Sequence, residues 1–487
     1  MRISIADIIK NTDGKLIYGN DYIDKAEEIY TTSISSNSRE IKEGGIFLAI
    51  PGEKVDGHKF VKGAYENGAY IAIVSKDIGK EAVPDGRFCV LVEDTVKAVQ
   101  RLAAWYRKQF ALPVVAVSGS VGKTTTKEMI AAALNAGKNV LKTEGNMNSQ
   151  LGVALMMFRL ETAHDIAVIE MGISEPDEMN RLSCIAMPEA AVVTNIGVSH
   201  IGQLKTRENI RKEKLDIVRG FADKGVLFIP SSDEYLNAAD AFSKDALSEE
   251  AYSIISNSDI IKYGETDECA YKAVNIHNGE DGVIFTVILP DNKTKEVHLQ
   301  VLGLHKVYNA LAAIAIADRY GVDLEAAITN IEKYQPLAMR GQIYEHKGIT
   351  IIDDTYNASP DSMKSGLSVL WDKRCDGRRI ALLADILELG DDSESLHRGI
   401  GKYIAEQGNR GKITDILYTA GAEASYIAEE AENNLNDKDS MVIEAFKTRD
   451  ELLDKLLQVI KPGDMIMVKG SRGMQMDKVC EVLRTAK

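Results

Sequence analysis

Pro113-Val114-Val115-Ala116-Val117-Ser118-Gly119-Ser120-Val121-Gly122-Lys123-Thr124-Thr125-Thr126 passes from an unbroken apolar run, through two glycines, into a stretch that favours a helix. The apolar run reads as a strand buried on both faces. A helix is predicted from Thr124 to about Ala136, where Gly137 supplies the stop that helix C-termini favour. Between them the glycines let successive N–H groups curl inward toward phosphate oxygens, and the helix N-terminus adds a favourable dipole. Lys123 neutralises charge, and the hydroxyl of Thr124 can ligate Mg²⁺. The usual first glycine of the longer phosphate-loop motif falls at Val117, so this is the shorter Gly-x-x-Gly-Lys-Thr form. Gly119, Ser120, Val121, Gly122, Lys123, Thr124 and Thr125 are thus expected to bind ATP or GTP.

Working outward, three blocks separate by pattern. Residues 1–112 hold short strand-like runs at Gly45–Ile50 and Ala69–Val74, closed by a helical stretch from Val96 to Phe110. Residues 113–337 continue with strand candidates at Asp165–Glu170, Ala190–Thr194 and Gly225–Ile229, with helical patterns between them. That alternation predicts a parallel sheet covered by helices. Within this block Tyr271 to Leu302 alternates and carries turn residues (Asn278-Gly279, Asp281-Gly282), which predicts a hairpin excursion. Residues 338–487 repeat the logic at Ile349–Asp353, Arg379–Ala384, Asp415–Thr419, Met441–Phe446 and Asp464–Val468, as in a small doubly wound domain. The fold class expected is α/β in three domains: a central P-loop parallel-sheet ATPase domain, a C-terminal Rossmann-like domain, and the N-terminal block.

Composition bounds the partners. The chain has 487 residues and a net charge of −15, which argues against a broad nucleic-acid surface. Its 5 cysteines are scattered and form no C-x-x-C pair, which fits reduced thiols better than a disulfide framework or a zinc site. The N-terminus lacks a signal-peptide core, and the apolar run Ala310 to Ala317 stops at Asp318, far short of a membrane span. A cytoplasmic protein with no membrane insertion is expected.

Three further side chains carry chemistry. Glu170 closes a predicted buried strand, at the edge where open α/β sheets gather ligands, and a carboxylate there can hold Mg²⁺ together with phosphates. His200 follows the next strand at the same edge, where it is either structural or functional. On a helix predicted from Arg207 to Phe221, at about 100° per residue, Ile210, Ile217, Val218 and Phe221 share an arc. Lys214 points into that arc while Lys212, Glu213 and Arg219 point elsewhere. It either snorkels its ammonium to water or is an inward lysine, desolvated or modified, beside phosphate and metal.

Taken together these motifs resemble the Mur ligases. The likeness runs through Ser118–Glu128, Thr143-Glu144-Gly145-Asn146-Met147-Asn148-Ser149, Glu170-Met171-Gly172, the His200–Lys214 spacing, Gly303–Ala310 and Arg340-Gly341. It extends to Asp353–Pro360, Asp385–Gly390 and Val468–Gly473 in the last block. Ser38-Arg39, Gly45–Ala49 and Gly52-Glu53-Lys54-Val55-Asp56-Gly57-His58 look like the family's uridine-nucleotide segment. The Lys127-Glu128 ending and the last block are closest to the member that adds D-alanyl-D-alanine. The member adding the third residue, with Asp-Tyr-Ala-His where this chain has Asp354-Thr355-Tyr356-Asn357, stands second. Folylpolyglutamate synthetases lack such an N-terminal block.

The resemblance implies a ligase that uses ATP and Mg²⁺ to join D-alanyl-D-alanine to UDP-N-acetylmuramoyl-tripeptide through an acyl phosphate, in cell-wall precursor synthesis. It implies Lys123 and Arg340 on the transferring phosphoryl group, metal contacts from Thr124, Glu170 and His200, and a carbamylated Lys214, which favours the inward reading of that lysine. Asn309 would contact adenine, and Arg340 would also contact ATP. Ser38, Arg39 and Lys54 would bind the uridine nucleotide, Asn146 and Asn148 would face the peptide, and Asn357 and Asp385 the dipeptide. Each Asn or Asp could instead serve a turn or cap. Closure between the second and third blocks is expected, and the enzyme is expected to act as a monomer. A P-loop ATPase without a co-substrate and a catalytically dead scaffold are the competing classes.

Overall fold

The protein is described by a computed structural model covering residues 1–485 apart from 53, 223, 280 and 281, so Glu53 and Asp281 lie outside the described residues. Among the described residues there are three large sheets, each confined to one block of the chain. The first block builds five strands in the order Lys15–Tyr18, Phe88–Leu91, Ala69–Val74, Gly45–Leu48, Ile34–Ser35, parallel except at the first pair. Its closing helix is Thr95–Arg107, capped by Asp94, whose carboxylate accepts from the Val96 and Lys97 N–H groups.

The central sheet has nine strands. Val114–Ser118 lies in its middle, between Ile166–Glu170 on one side and Ala190–Val193 on the other, all parallel. Chain connections diverge from that middle strand, so the loop after it opens at the topological switch point where such sheets bind ligands. The helix after the loop, Lys123–Leu134, follows Gly122, which sits at φ +87°. Gly119 (φ +144°) has no room for a side chain: an added Cβ would stand 1.9 Å from Thr194 Oγ1.

Two expectations are corrected here. Tyr271–Asn278, Val283–Ile288 and Thr294–Leu299 do not leave the central sheet; they extend its edge through a parallel pairing of Tyr263 with Tyr271. Val283, Phe285 and Val287 are buried with helix His305–Arg319 in one apolar cluster, so covering that helix holds the strands on the sheet. The helix from Arg207 stops at Leu215 and tightens into a 3₁₀ turn over Asp216–Gly220. Gly220 packs there so closely that a Cβ would meet the Ser183 carbonyl at 2.4 Å.

The last sheet runs Gln342–His346, Ile349–Asp354, Met465–Lys469, Arg379–Ala384, Ile416–Ala420, Val442–Phe446, parallel after an antiparallel first pair. Its helix Pro360–Asp372 begins with a Ser359–Ser362 capping box and a proline in the first turn, and this N-terminus is aimed at the central domain. Gly197 there has no side chain because a Cβ would lie 2.5 Å from Asp361 Oδ2. No helix among the described residues is long and apolar enough to cross a membrane.

Candidate active site

The glycine loop, the ends of strands Ile166–Glu170 and Ala190–Val193, and the start of the C-terminal domain surround one cavity of about 380 Å³. Thr124 Oγ1 donates to Glu170 Oε1 at 3.1 Å, and Asn148 Nδ2 donates to the same oxygen at 2.7 Å. Glu170 is 1% exposed, and its second oxygen is buried without a hydrogen-bond partner. A carboxylate oxygen left over beside a threonine hydroxyl, on the wall of a cavity, suits a hard cation that takes its remaining ligands from phosphate and water. Among the described residues no group of three His, Cys, Asp or Glu side chains forms a metal cage, and such a phosphate-completed site does not require one.

Lys123 Nζ folds back onto its own loop, donating to the Gly119 carbonyl at 2.6 Å and to Ser120 O at 3.3 Å. Burial holds its pKa below the usual lysine range, while Glu170 pulls it up and Arg340 pushes it further down. The loop N–H groups of Ser120 and Val121 donate to Asn195 Oδ1 at 3.0 and 2.8 Å. Asn195 was not singled out from the sequence. Its place just after a strand at the ligand edge was the available signal.

His200 starts the short helix Ile201–Leu204 at φ +63° and lines the cavity. Its Nδ1 lies 2.7 Å from Glu388 Oε2 of the C-terminal domain, with the carboxylate off the line of the ring N–H. Burial lowers the His200 pKa, with Glu388 opposing that shift. Lys214 is 2% exposed, and its Nζ has no hydrogen bond or ion pair among the described residues. Snorkelling is therefore ruled out. Burial, and then Lys123, drive its pKa well below the usual range. Glu213 does not point to solvent as expected: it is buried, accepting from Asp177 N at 2.9 Å and Met179 N at 2.8 Å to cap helix Glu178–Ala186.

The opposite wall belongs to the C-terminal domain. Arg340 stacks on the Tyr356 ring with 3.7 Å from guanidinium carbon to centroid. Lys469, 2% exposed, donates to Asp354 Oδ2 at 2.5 Å and to Asn357 O at 3.1 Å. His305 and Lys306, at the start of a central-domain helix, also line the cavity. Burial pushes His305 well down and Lys306 to about 8. Lys306 and Lys469 lay inside quoted motifs without being singled out. Asp354 and Lys469 pair in register at the C-terminal ends of adjacent parallel strands, a signal visible only once the strands are paired.

The structure brings together on this cavity Ser120, Val121, Gly122, Lys123, Thr124, Thr125, Asn148, Glu170, His200, Arg340 and Asn357. Other expected residues lie elsewhere. Gly119 sits beneath the loop against Thr194. Asn309 is behind it, its Nδ2 donating to Thr126 Oγ1 at 2.8 Å and its Oδ1 buried without a partner. Asn146 is exposed beside the site. Asp385 accepts from Ala424 N at 2.7 Å, away from the cavity, and burial raises its pKa. Ser38, Arg39 and Lys54 stand on the N-terminal domain, where Arg39 and Lys54 are exposed and the Ser38 carbonyl accepts from Asn67.

Known proteins show the same arrangement. Residues 31–107 match the Mur ligase family catalytic domain, 117–317 the Mur ligase middle domain, and 339–472 the Mur ligase glutamate ligase domain. A Bacillus subtilis protein named UDP-N-acetylmuramoyl-tripeptide–D-alanyl-D-alanine ligase is 33% identical, over 99% of this chain and 97% of its own. A crystal structure of MurF from Acinetobacter baumannii superposes with TM-score 0.85 at 31% identity, covering 100% of this chain and 99% of that one. MurF from Thermotoga maritima in complex with ADP gives TM-score 0.77 at 26% identity, covering 93% and 97%. With a likeness of this depth running through all three sheets and the loop between them, the chain belongs to the Mur ligase family.

Proposed function

We propose that this chain is an ATP-dependent ligase that joins D-alanyl-D-alanine to UDP-N-acetylmuramoyl-tripeptide during peptidoglycan precursor synthesis. The observation that carries the reading is the shared cavity. Lys123, Thr124 and Glu170 of the phosphate loop face Arg340, Asp354 and Lys469 of the other domain across about 380 Å³. In the reaction a terminal carboxylate oxygen of the tripeptide attacks the γ-phosphorus, the β–γ bridge breaks, and ADP leaves. The dipeptide amine then adds to the acyl carbon and loses its proton, and the C–O bond to phosphate breaks to give amide and inorganic phosphate. No protein nucleophile is needed, so alignment and charge neutralisation supply the catalysis. Lys123 leaves its loop carbonyls for the phosphate oxygens, and Arg340, braced on Tyr356, meets them from the far side. Thr124 and Glu170, with His200, would hold Mg²⁺, which supplies neutralisation of phosphate charge when bound.

The finer assignments are part of the same proposal. Residues 1–112, with Ser38, Arg39 and Lys54, take the uridine nucleotide; residues 113–337 take ATP, with Asn309 toward adenine. Residues 338–487 take the dipeptide through Asn357 and Asp385, while Asn146 and Asn148 face the tripeptide. A neutral, unpartnered amine adds CO₂ to give a carbamate and a proton, which supports a carbamylated Lys214; ¹³C labelling from ¹³CO₂ tests it by a carbamate resonance that Lys214→Ala abolishes. The enzyme works as a cytoplasmic monomer, where ATP and the nucleotide-linked tripeptide meet. Phosphate release by purified protein is expected to require both the tripeptide nucleotide and D-Ala-D-Ala, and brisk release without either would overturn the ligase reading.

A further inference from the structure

One contact between the central and C-terminal domains is built differently from the rest. On the central side, Gly202 follows His200 by two residues; on the other, Glu388 and Gly390 form the turn after strand Arg379–Ala384. The Gly202 N–H donates to the Glu388 carbonyl at 3.2 Å. A Cβ on Gly202 would stand 2.9 Å from that carbonyl and 3.0 Å from Gly390 N, and one on Gly390 would stand 2.8 Å from Gly202 Cα. Two backbones from different domains therefore touch where neither tolerates a side chain. Glu388 itself is held at φ +67°, a conformation disfavoured for a residue with a Cβ. That backbone places its carboxylate 2.7 Å from His200 Nδ1, although the Glu388 side chain is 56% exposed. The same histidine lines both the 380 Å³ cavity and a second of about 200 Å³, alongside Lys123 in each.

We propose that Glu388 is a positioning residue through which docking of the C-terminal domain sets the His200 ring. A carboxylate facing Nδ1 favours the tautomer that carries its proton there and leaves Nε2 as the lone-pair nitrogen on a ring beside Lys123. Domain closure and completion of the nucleotide site are then one event. An undocked enzyme has a histidine free to rotate and change tautomer, and does not commit ATP. The proposal rests on the ligase reading for the task of His200, but the tautomer and the docking can be observed without turnover.

The test uses the full chain with Glu388→Ala, Glu388→Gln and Gly202→Ala. With wild type, ¹⁵N spectra of labelled histidine should show a protonated Nδ1 at His200 when an ATP analogue and the tripeptide nucleotide are bound. Glu388→Ala should lose that signature and lower kcat about 10- to 100-fold, the range seen when a carboxylate orienting a histidine is removed, with less than about a threefold change in KM for ATP. Glu388→Gln keeps an acceptor oxygen and should recover most of both. Gly202→Ala should hold the domains apart, enlarging the radius of gyration of the liganded protein in X-ray scattering, and should mimic Glu388→Ala. Should Glu388→Ala retain the wild-type tautomer and kcat, or Gly202→Ala close normally, the coupling is wrong. Should wild type show the tautomer and closure yet form no amide, the ligase reading fails and the coupling stands.

Discussion

Lys214→Met should make the protein more stable and nearly inactive. The lysine is 2% exposed and its amine has no partner among the described residues. A buried polar group left unsatisfied costs about 1–3 kcal/mol. Methionine keeps the length of the side chain and removes the polar atom, and swaps of similar volume cost less than about 1.5 kcal/mol. The net gain is about 1–2 kcal/mol, which for a unit of roughly 150–250 residues raises Tm by about 2–8 °C. Calorimetry belongs in CO₂-free buffer, so that the wild-type lysine carries a bare amine; with CO₂ restored, the advantage of the variant should shrink if wild type gains a carbamate. Turnover should fall roughly 100-fold in either buffer, the scale for removing one preorganised charge. Such an exchange of stability for activity is what a strained functional group predicts. A lower Tm together with near-normal turnover would refute the reasoning, because Lys214 would then hold the fold and not serve the reaction.

Three more outcomes follow from the same geometry. Lys123→Ala should lower kcat by at least about 100-fold by losing phosphate neutralisation, and steady-state turnover near wild type would show the loop is not catalytic. Lys306 is pushed down to about 8 by burial, with Lys469 and Arg340 adding to the shift and Asp354 opposing it. It is charged below that pH and neutral above, so affinity for an anionic ATP analogue should weaken from about pH 7 to about 9. Lys306→Met should flatten that slope in calorimetric titrations, and a wild-type slope left intact in the variant would assign the pH dependence elsewhere. Gly119→Ala meets Thr194 Oγ1 at 1.9 Å and a φ of +144°. It should destabilise the domain by more than about 1 kcal/mol in urea unfolding, whereas an unchanged midpoint would mean the loop can shift at little cost.

Local chemistry was legible in the sequence and long-range pairing was not. The phosphate loop needs only a few consecutive residues, so strand, glycines and helix appeared where they were expected. Lys214 was placed correctly because helical periodicity holds through Leu215, one residue past it. Glu213 was misplaced by the same periodicity, since its burial comes from N–H groups more than thirty residues earlier in the chain. Alternation in Tyr271–Leu299 revealed strands, but which edge they join is decided by Tyr263 and the covering helix. Val140–Lys142 and Asp259–Gly264 were missed because the first is three residues long and the second begins on exposed positions.

The charge balance shows where that boundary lies for function. A net −15 is a sum over the whole chain, and both proposed substrates are anions. The structure resolves the tension by sorting charge: Lys123, Lys306, Arg340 and Lys469 converge on one cavity from segments that are far apart in sequence. Carboxylates dominate elsewhere. Two carboxylates remain on that wall for stated reasons, Glu170 with a free oxygen toward a cation and Asp354 neutralising Lys469. Electrostatic recognition depends on the local field and not on the total, and that field arises only when strands from two domains end at the same gap. The Lys123 motif announces phosphate from sequence alone, but the cationic wall opposite it, and the Glu388 contact that brings the wall into place, are properties of the docked domains.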